Sequence, residues 1–294
     1  MTGYLLAFVS SIFFSLYVIP RKLSNQPAVF FSLLMGTGFF ISSVILYLFK
    51  PLLGFHEPVN IQLLWSVLAG AIWATGFVAF VKSIDKVGLA RSNQWKNLQG
   101  PVAVVLSFII LGEYAKTRPV FALLAGIAVF LSAIAFTISG SKEEAKANLG
   151  GIYLATLSGV AFGLVTVINK HVTTEVGVYS QQVVWSAAIA LSLLMYIASQ
   201  KGMLKKLKTI DTRNLALGLG AGVLYLGASF FMLQAYRYVP ASIGFTIIQL
   251  NAVWTVAIGI FLFKEIDAKR HWIRIVGGFL LAILGILLLA FAKK

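Results

Sequence analysis

Ten apolar runs of about twenty residues follow one another along this chain, at 3–20, 27–49, 61–81, 87–112, 119–139, 149–168, 179–199, 214–236, 240–263 and 271–291. A helix rises about 1.5 Å per residue, so each run can cross the roughly 30 Å hydrocarbon core of a bilayer. Inside that core no water satisfies a free N–H or C=O, and only helices and closed barrels keep every backbone group bonded. Continuous apolar runs of this length predict helices, and the gaps leave no room for a soluble domain. The expected fold is therefore an all-α membrane protein of ten transmembrane helices. A composition of 59% hydrophobic and 11% charged residues in 294 agrees.

The formal net charge of +15 raises the question of nucleic acid, but the Lys and Arg residues lie mostly in short gaps between apolar runs. That is where the inner face of a membrane collects them, so the expected partner is the lipid bilayer and not nucleic acid. The chain has no cysteine, which excludes a disulfide framework, thiol catalysis and a Cys-ligated metal site. Met1 to Pro20 lacks a basic leader and a cleavage site and reads as a retained first span.

The most hydrophilic break is Ser139 to Asn148. It divides the chain into a five-helix half at 1–139, a polar linker at 140–148 and a second five-helix half at 149–294. Sliding one half over the other by 152 residues pairs Gly70 with Gly222, Glu113 with Glu265, Arg118 with Arg270 and Gly126 with Gly278. A shift of 148 pairs Ser10 with Ser158, Phe14 with Phe162 and Lys22 with Lys170 in the first span of each half. An odd number of spans per half makes the second copy enter the membrane in the opposite sense, which is an inverted repeat. Under the 152 offset Asn97 meets Gln249, Gln99 meets Asn251 and Trp73 meets Tyr225.

Such a repeat, with Leu-Gly-Glu at 111–113, Phe-Lys-Glu at 263–265 and glycines at 126 and 278, resembles the drug/metabolite transporter superfamily. Ala69 to Gly76 and Ser242 to Asn251 resemble its glucose/ribose porter branch of sugar-uptake proteins. The resemblance implies a carrier whose central cavity is lined by spans 1, 3, 4, 6, 8 and 9. Spans 5 and 10 would pack at the periphery, where they can serve a homodimer. It also implies a multi-pass protein of a bacterial or archaeal cell membrane.

The run Arg91 to Pro101 places Arg, Lys and four amides at the start of an apolar segment. Asn93, Lys96 and Gln99 share one helix face, Gln94 and Asn97 another, and Asn97 and Gln99 diverge by about 160°. They are not expected to line one cavity together. Buried amides commonly bridge helices, but an amide also both donates to and accepts from solute hydroxyls. Lys96 lies some five residues inside its span, at a cost of about 2–3 kcal/mol, so it is expected to be hydrated, bonded to carbonyls or engaged with substrate. The candidate solute-binding residues are Trp73, Asn93, Gln94, Lys96, Asn97, Gln99, Gln182, Trp185, Gln249, Asn251 and Trp254. Trp faces beside amides suit a pyranose, whose C–H surfaces stack on rings while its hydroxyls bond amides. Pro101 is expected inside the fourth helix, breaking its ladder near Asn97 as a hinge, with the equivalent Val253 leaving the ninth helix intact.

All nine acidic residues fall in loops or at span ends, which argues against efflux of cationic drugs. No phosphate-cradling glycine loop is present, so ATP-driven transport is not encoded and no cofactor is expected. His56, His171 and His271 lack metal-ligand spacing, and no nucleophile-base set marks an enzyme. The reading is a secondary carrier of a small polar solute, a sugar first, working by alternating access. The alternatives are an exporter or exchanger of another neutral or anionic metabolite, and a membrane scaffold or sensor. Gaps after odd-numbered spans hold 15 Lys and Arg against 7 on the opposite side. The positive-inside rule then places the odd-numbered gaps in the cytoplasm and both termini outside, whereas the resemblance implies termini inside.

Overall fold

The computed structural model describes residues 1–53, 57–87, 92, 95–136, 149–207, 209–263 and 270–294. The polar linker at 140–148 and Asn93, Gln94, Arg91 and Glu265 lie outside the described residues. The helices are α1 (Thr2–Leu16), α2 (Val18–Leu23), α3 (Ala28–Phe49), α4 (Leu64–Val87), α5 (Gln99–Leu111), α6 (Pro119–Phe136) and α7 (Leu149–Glu175). Then come α8 (Val178–Ser199), the short α9 (Met203–Leu207), α10 (Thr212–Tyr236), α11 (Ala241–Ile248), α12 (Asn251–Phe261) and α13 (Trp272–Ala292). Among the described residues there is no strand, only an isolated bridge between Thr117 and Lys293. Among the described residues, eight stretches of helix are long and apolar enough to cross a membrane, and two apolar helices, Gln99–Leu111 and Pro119–Ala135, are shorter. The chain is a multi-pass integral membrane protein.

The helices pack in matched pairs. Helix α4 lies against α7, and α10 against α1; α10 also crosses α3, while α4 crosses α8. Helix α5 packs on α7, α11 and α12 pack on α1, and α6 lies along α13. In lipid no hydrophobic force joins helices, so close approach depends on small residues at the crossings. At the α3–α10 crossing a Cβ on Gly222 would sit 2.3 Å from the Phe39 nitrogen. At the α4–α8 crossing a Cβ on Gly70 would sit 2.9 Å from the Trp185 carbonyl oxygen. Only glycine lets these backbones touch.

The ninth apolar run is not one continuous helix. It is interrupted between α11 and α12 at Gln249–Leu250, where Leu250 N bonds Ile247 O at 3.0 Å, Ala252 N bonds Gln249 O at 3.3 Å and Val253 N bonds Leu250 O at 2.9 Å. These are three-residue bonds, the mark of a tightened 3₁₀ turn. The fourth run shows the same turn before α5: Leu98 N bonds Trp95 O at 3.2 Å and Gly100 N bonds Asn97 O at 3.3 Å.

Pro101 therefore does not act as the sequence suggested. It stands in the first turn of α5, where a missing N–H costs no ladder bond. The equivalent Val253 does not accompany an intact helix, since the ninth run breaks at the corresponding place without a proline. A break of this kind does not require a proline.

Helix starts are secured by carboxylates from elsewhere in the chain. Glu57 accepts from Val178 N at 2.9 Å and Tyr179 N at 3.0 Å, and so caps α8. Glu113 accepts from Ala241 N at 2.6 Å, Ser242 N at 2.9 Å and Ser242 Oγ at 2.7 Å, and so caps α11. A negative group at the positive end of a helix dipole satisfies donors that the helix itself leaves free.

Candidate functional site

The two interrupted runs meet at their tightened turns. Gln99 Nε2 donates to Gln249 Oε1 at 3.1 Å, a bond between the fourth and ninth runs with both side chains buried. Beside it a cavity of about 10 Å³ is lined by Asn97, Gly100, Thr246, Gln249, Asn251 and Ala252, with Gly126, Val129, Phe130 and Ala133 of α6 opposite. That volume holds about one water. Asn97 lines the cavity and Gln99 does not, in keeping with their divergence on the helix, but Gln99 reaches it through Gln249. Four amides that correspond pairwise under the 152 offset are thus gathered at one crossing.

The first helix of each half holds this crossing. Ser15 Oγ donates to Asn251 O at 2.9 Å, and Trp254 Nε1 donates to Ser11 Oγ at 3.0 Å. On α7, a Cβ on Gly159 would lie 2.8 Å from Lys96 O and 3.3 Å from Gln99 N. Its absence lets α7 touch the backbone of the turn. A mid-helix 3₁₀ turn leaves peptide groups imperfectly bonded, and these contacts supply them with neighbours.

The same two helices border an aromatic cluster centred on Tyr225. Phe14 and Tyr17 approach its ring edge-on at 5.5 and 5.6 Å, Phe39 at 5.2 Å and Trp73 at 5.9 Å. Trp73 stacks on Phe77 at 5.3 Å and leans on Phe162 at 5.8 Å. The paired positions Trp73 and Tyr225 therefore meet each other, and the rings fill the space between α1, α4, α7 and α10. Lys96, in the turn before α5, rests its ammonium over the Phe80 ring at 5.3 Å, a cation–π contact that offsets part of its burial.

Not every candidate joins the site. Trp254 faces α1, with Phe8 edge-on at 5.6 Å, and does not line the cavity. Trp185 is 1% exposed and packs edge-on against Phe39 at 5.7 Å, while Gln182 Oε1 accepts from Ser229 Oγ at 3.1 Å. Trp185 also meets the Tyr225 ring at 6.4 Å and so joins the aromatic cluster, and neither residue lines the amide cavity. Asn93 and Gln94 lie outside the described residues. Spans 3 and 8 contribute the rings but not the cavity wall, and α6 of the fifth span lines it, contrary to its expected peripheral place. Sequence reading missed Thr246, Phe130 and Glu113. Thr246 and Phe130 carry no signal in an apolar run, whereas the recurrence of Glu113 as Glu265 marked the residue but not its target.

The C-terminal half, 149–291, matches the EamA-like transporter family, and the N-terminal half, 1–140, matches the family described as Sugar transport protein. Each half of the chain is thus similar to a transporter family, and the resemblance is to the drug/metabolite transporter superfamily. The chain is a membrane transporter and not an enzyme. It is 25% identical to a probable glucose uptake protein of Bacillus cereus, over 100% of both chains. Identity to a probable glucose uptake protein of Priestia megaterium is 26%, over 98% of this chain and 99% of that one. A putative sugar uptake protein of Listeria innocua is 24% identical over 88% of each. A solved crystal structure shares the fold, with a TM-score of 0.76 at 13% identity, over 98% of this chain and 97% of the other.

Proposed function

We propose that this transporter is a secondary carrier that moves a sugar across the membrane by alternating access between two inverted five-helix halves, 1–139 and 149–294, joined by a polar linker. The observation that carries the reading is the convergence of Asn97, Gln99, Gln249 and Asn251 at one crossing, near a wall of aromatic rings around Trp73 and Tyr225. Amides offer a donor and an acceptor on one planar group, as hydroxyls require, and ring faces suit the C–H surface of a pyranose. The names of the full-length relatives support the same solute class.

Matched packing supports the repeat. Each contact of α1, α3, α4 and α5 with the second half has a counterpart when the halves are exchanged, and the two 3₁₀ turns fall 152 residues apart. Symmetry-related halves that can trade conformations are what alternating access needs. In the present arrangement the amide cavity is closed down to about 10 Å³, far below the volume of a hexose. In the proposed cycle an arrangement closed in this way would serve as the occluded stage.

Flux tests the reading. Purified protein in liposomes is expected to equilibrate one or more labelled sugars from a panel of neutral sugars and anionic metabolites. Transport confined to the anionic members would overturn the sugar assignment in favour of an exchanger. Transport of none of them would leave a scaffold.

A further inference from the structure

One end of the bundle carries a cavity of about 450 Å³, far larger than the one at the amides, lined by Glu113, Lys116, Lys170, His171, Thr174, Tyr238, Val239 and Pro240 with Ile110 and Leu111. Tyr238 on its rim is 63% exposed, so the cavity is a vestibule open to the surface. Its inner wall is the connection between α10 and α11, and that connection is gripped from two sides. Lys170 donates to Tyr236 O, at the end of α10, and at 3.0 Å to Val239 O, in the connection itself. Glu113, 3% exposed, accepts the three bonds from Ala241 and Ser242 that open α11.

Glu113 belongs to the first half and α11 to the second, so the carboxylate ties the halves together at this end. Below it, Tyr236 is fully buried against Gly244, with its hydroxyl beside Thr166 of α7. One turn further in, Thr246 reaches the amide cavity. Vestibule, grip and amide cavity thus lie in order along α11.

We propose that Glu113 and Lys170 form the latch that closes the amide site from this vestibule, and that α11 is the element they release. The proposal rests on the carrier reading for its purpose but not for its test. Lys22, the counterpart of Lys170, stands over the Phe263 ring at 5.1 Å at the opposite end of the bundle, where a second closure would be placed by the repeat. Residues 264–269 lie outside the described residues, and the latch proposed is the one at Glu113 alone.

The chain lacks cysteine, so a single Thr246→Cys reports on access without background. Its labelling by an impermeant thiol reagent in proteoliposomes, with no solute present, is compared with Glu113→Gln and Lys170→Met added. Loss of charge-assisted bonds is expected to speed labelling roughly tenfold. A second reporter, Ala69→Cys, fully buried on α4, is expected to stay slow in the same variants. Parent-like rates at Thr246→Cys in both variants would overturn the latch, as would a parallel rise at Ala69→Cys, which would mean general loosening. Should Glu113→Gln not yield monodisperse protein, Lys170→Met and Ser242→Ala decide by the same comparison. Because no solute enters, failure of the sugar assignment leaves this result standing.

Discussion

Gln249 does two things at once, since it accepts the bond from Gln99 and faces the amide cavity. Gln249→Ala strands a buried donor and removes an amide from the cavity wall, and Asn251→Ala removes the second amide of its half. Both are expected to cut sugar flux about tenfold while reducing the yield of folded protein less. Equal loss of flux and of folded protein would make these amides merely bridges between helices. Outside the membrane, Asp211 caps α10. Its carboxyl is held below the usual carboxylate range, first by the hydrogen bond from the Asn214 side chain at 2.6 Å. A lowered folded pKa gives stability that is present above the unfolded value and is lost as pH falls through the folded one. Amide exchange in the first turn of α10 is therefore expected to rise below about pH 4. Asn214 Oδ1 also accepts from Ser24 Oγ at 2.7 Å, so the same acidification is expected to loosen the α2–α3 connection. Exchange that stays flat between neutral and strongly acid pH would contradict this.

At the scale of elements, the tightened turns at 97–98 and 249–250 matter more than the proline beside one of them. Val253 N finds Leu250 O at 2.9 Å, so an alanine at the equivalent position 101 has a carbonyl, Leu98 O, within reach. Pro101→Ala is expected to leave both flux and thermal stability near the parent's, within about twofold in rate. A large change in rate would restore the proline as a hinge. Glycine at the helix crossings is far less forgiving. Gly222→Leu drives a side chain into the Phe39 backbone at the α3–α10 crossing, which is expected to cost about 3 kcal/mol or more in a packed interior. Thermal unfolding in detergent reads this directly, against the more open Gly220 as control, where a Cβ meets nothing within 4 Å.

For the whole molecule the open matter is which end faces the cytoplasm. Lys201, Lys205 and Lys206 surround the short α9 at the end of the bundle where α10 begins, and the vestibule of Glu113 and Lys170 lies where α10 ends. The charge count places the α9 end inside, which makes the vestibule an outward-facing approach for solute. A single cysteine in place of Lys206 is expected to resist an impermeant thiol reagent on intact cells and to react after permeabilisation. Efficient labelling of intact cells would invert the molecule and turn the vestibule toward the cytoplasm.

Hydropathy and length alone determined that this chain is helical and lies in a membrane, because a bilayer permits no other solution for ten long apolar runs. The 152-residue register likewise singled out Gly70, Gly222 and the four amides, since polar groups and glycines are costly enough in an apolar run to stand out. Other features depended on distance in space. The helix breaks at 97–98 and 249–250 involve ordinary residues whose tightened turns are held by α1 and α7, through Ser15 and Gly159, and no local propensity announces them. Gln182 and Trp185 read like the amides and Trp73, yet α8 turns Gln182 to Ser229 and Trp185 to Phe39 and Tyr225, and neither lines the amide cavity. Glu113 was visible as a repeated acid at a span end, but its partner is 128 residues away. Which donors a buried carboxylate satisfies is decided by packing between halves, and only the tertiary structure brings the start of α11 to it.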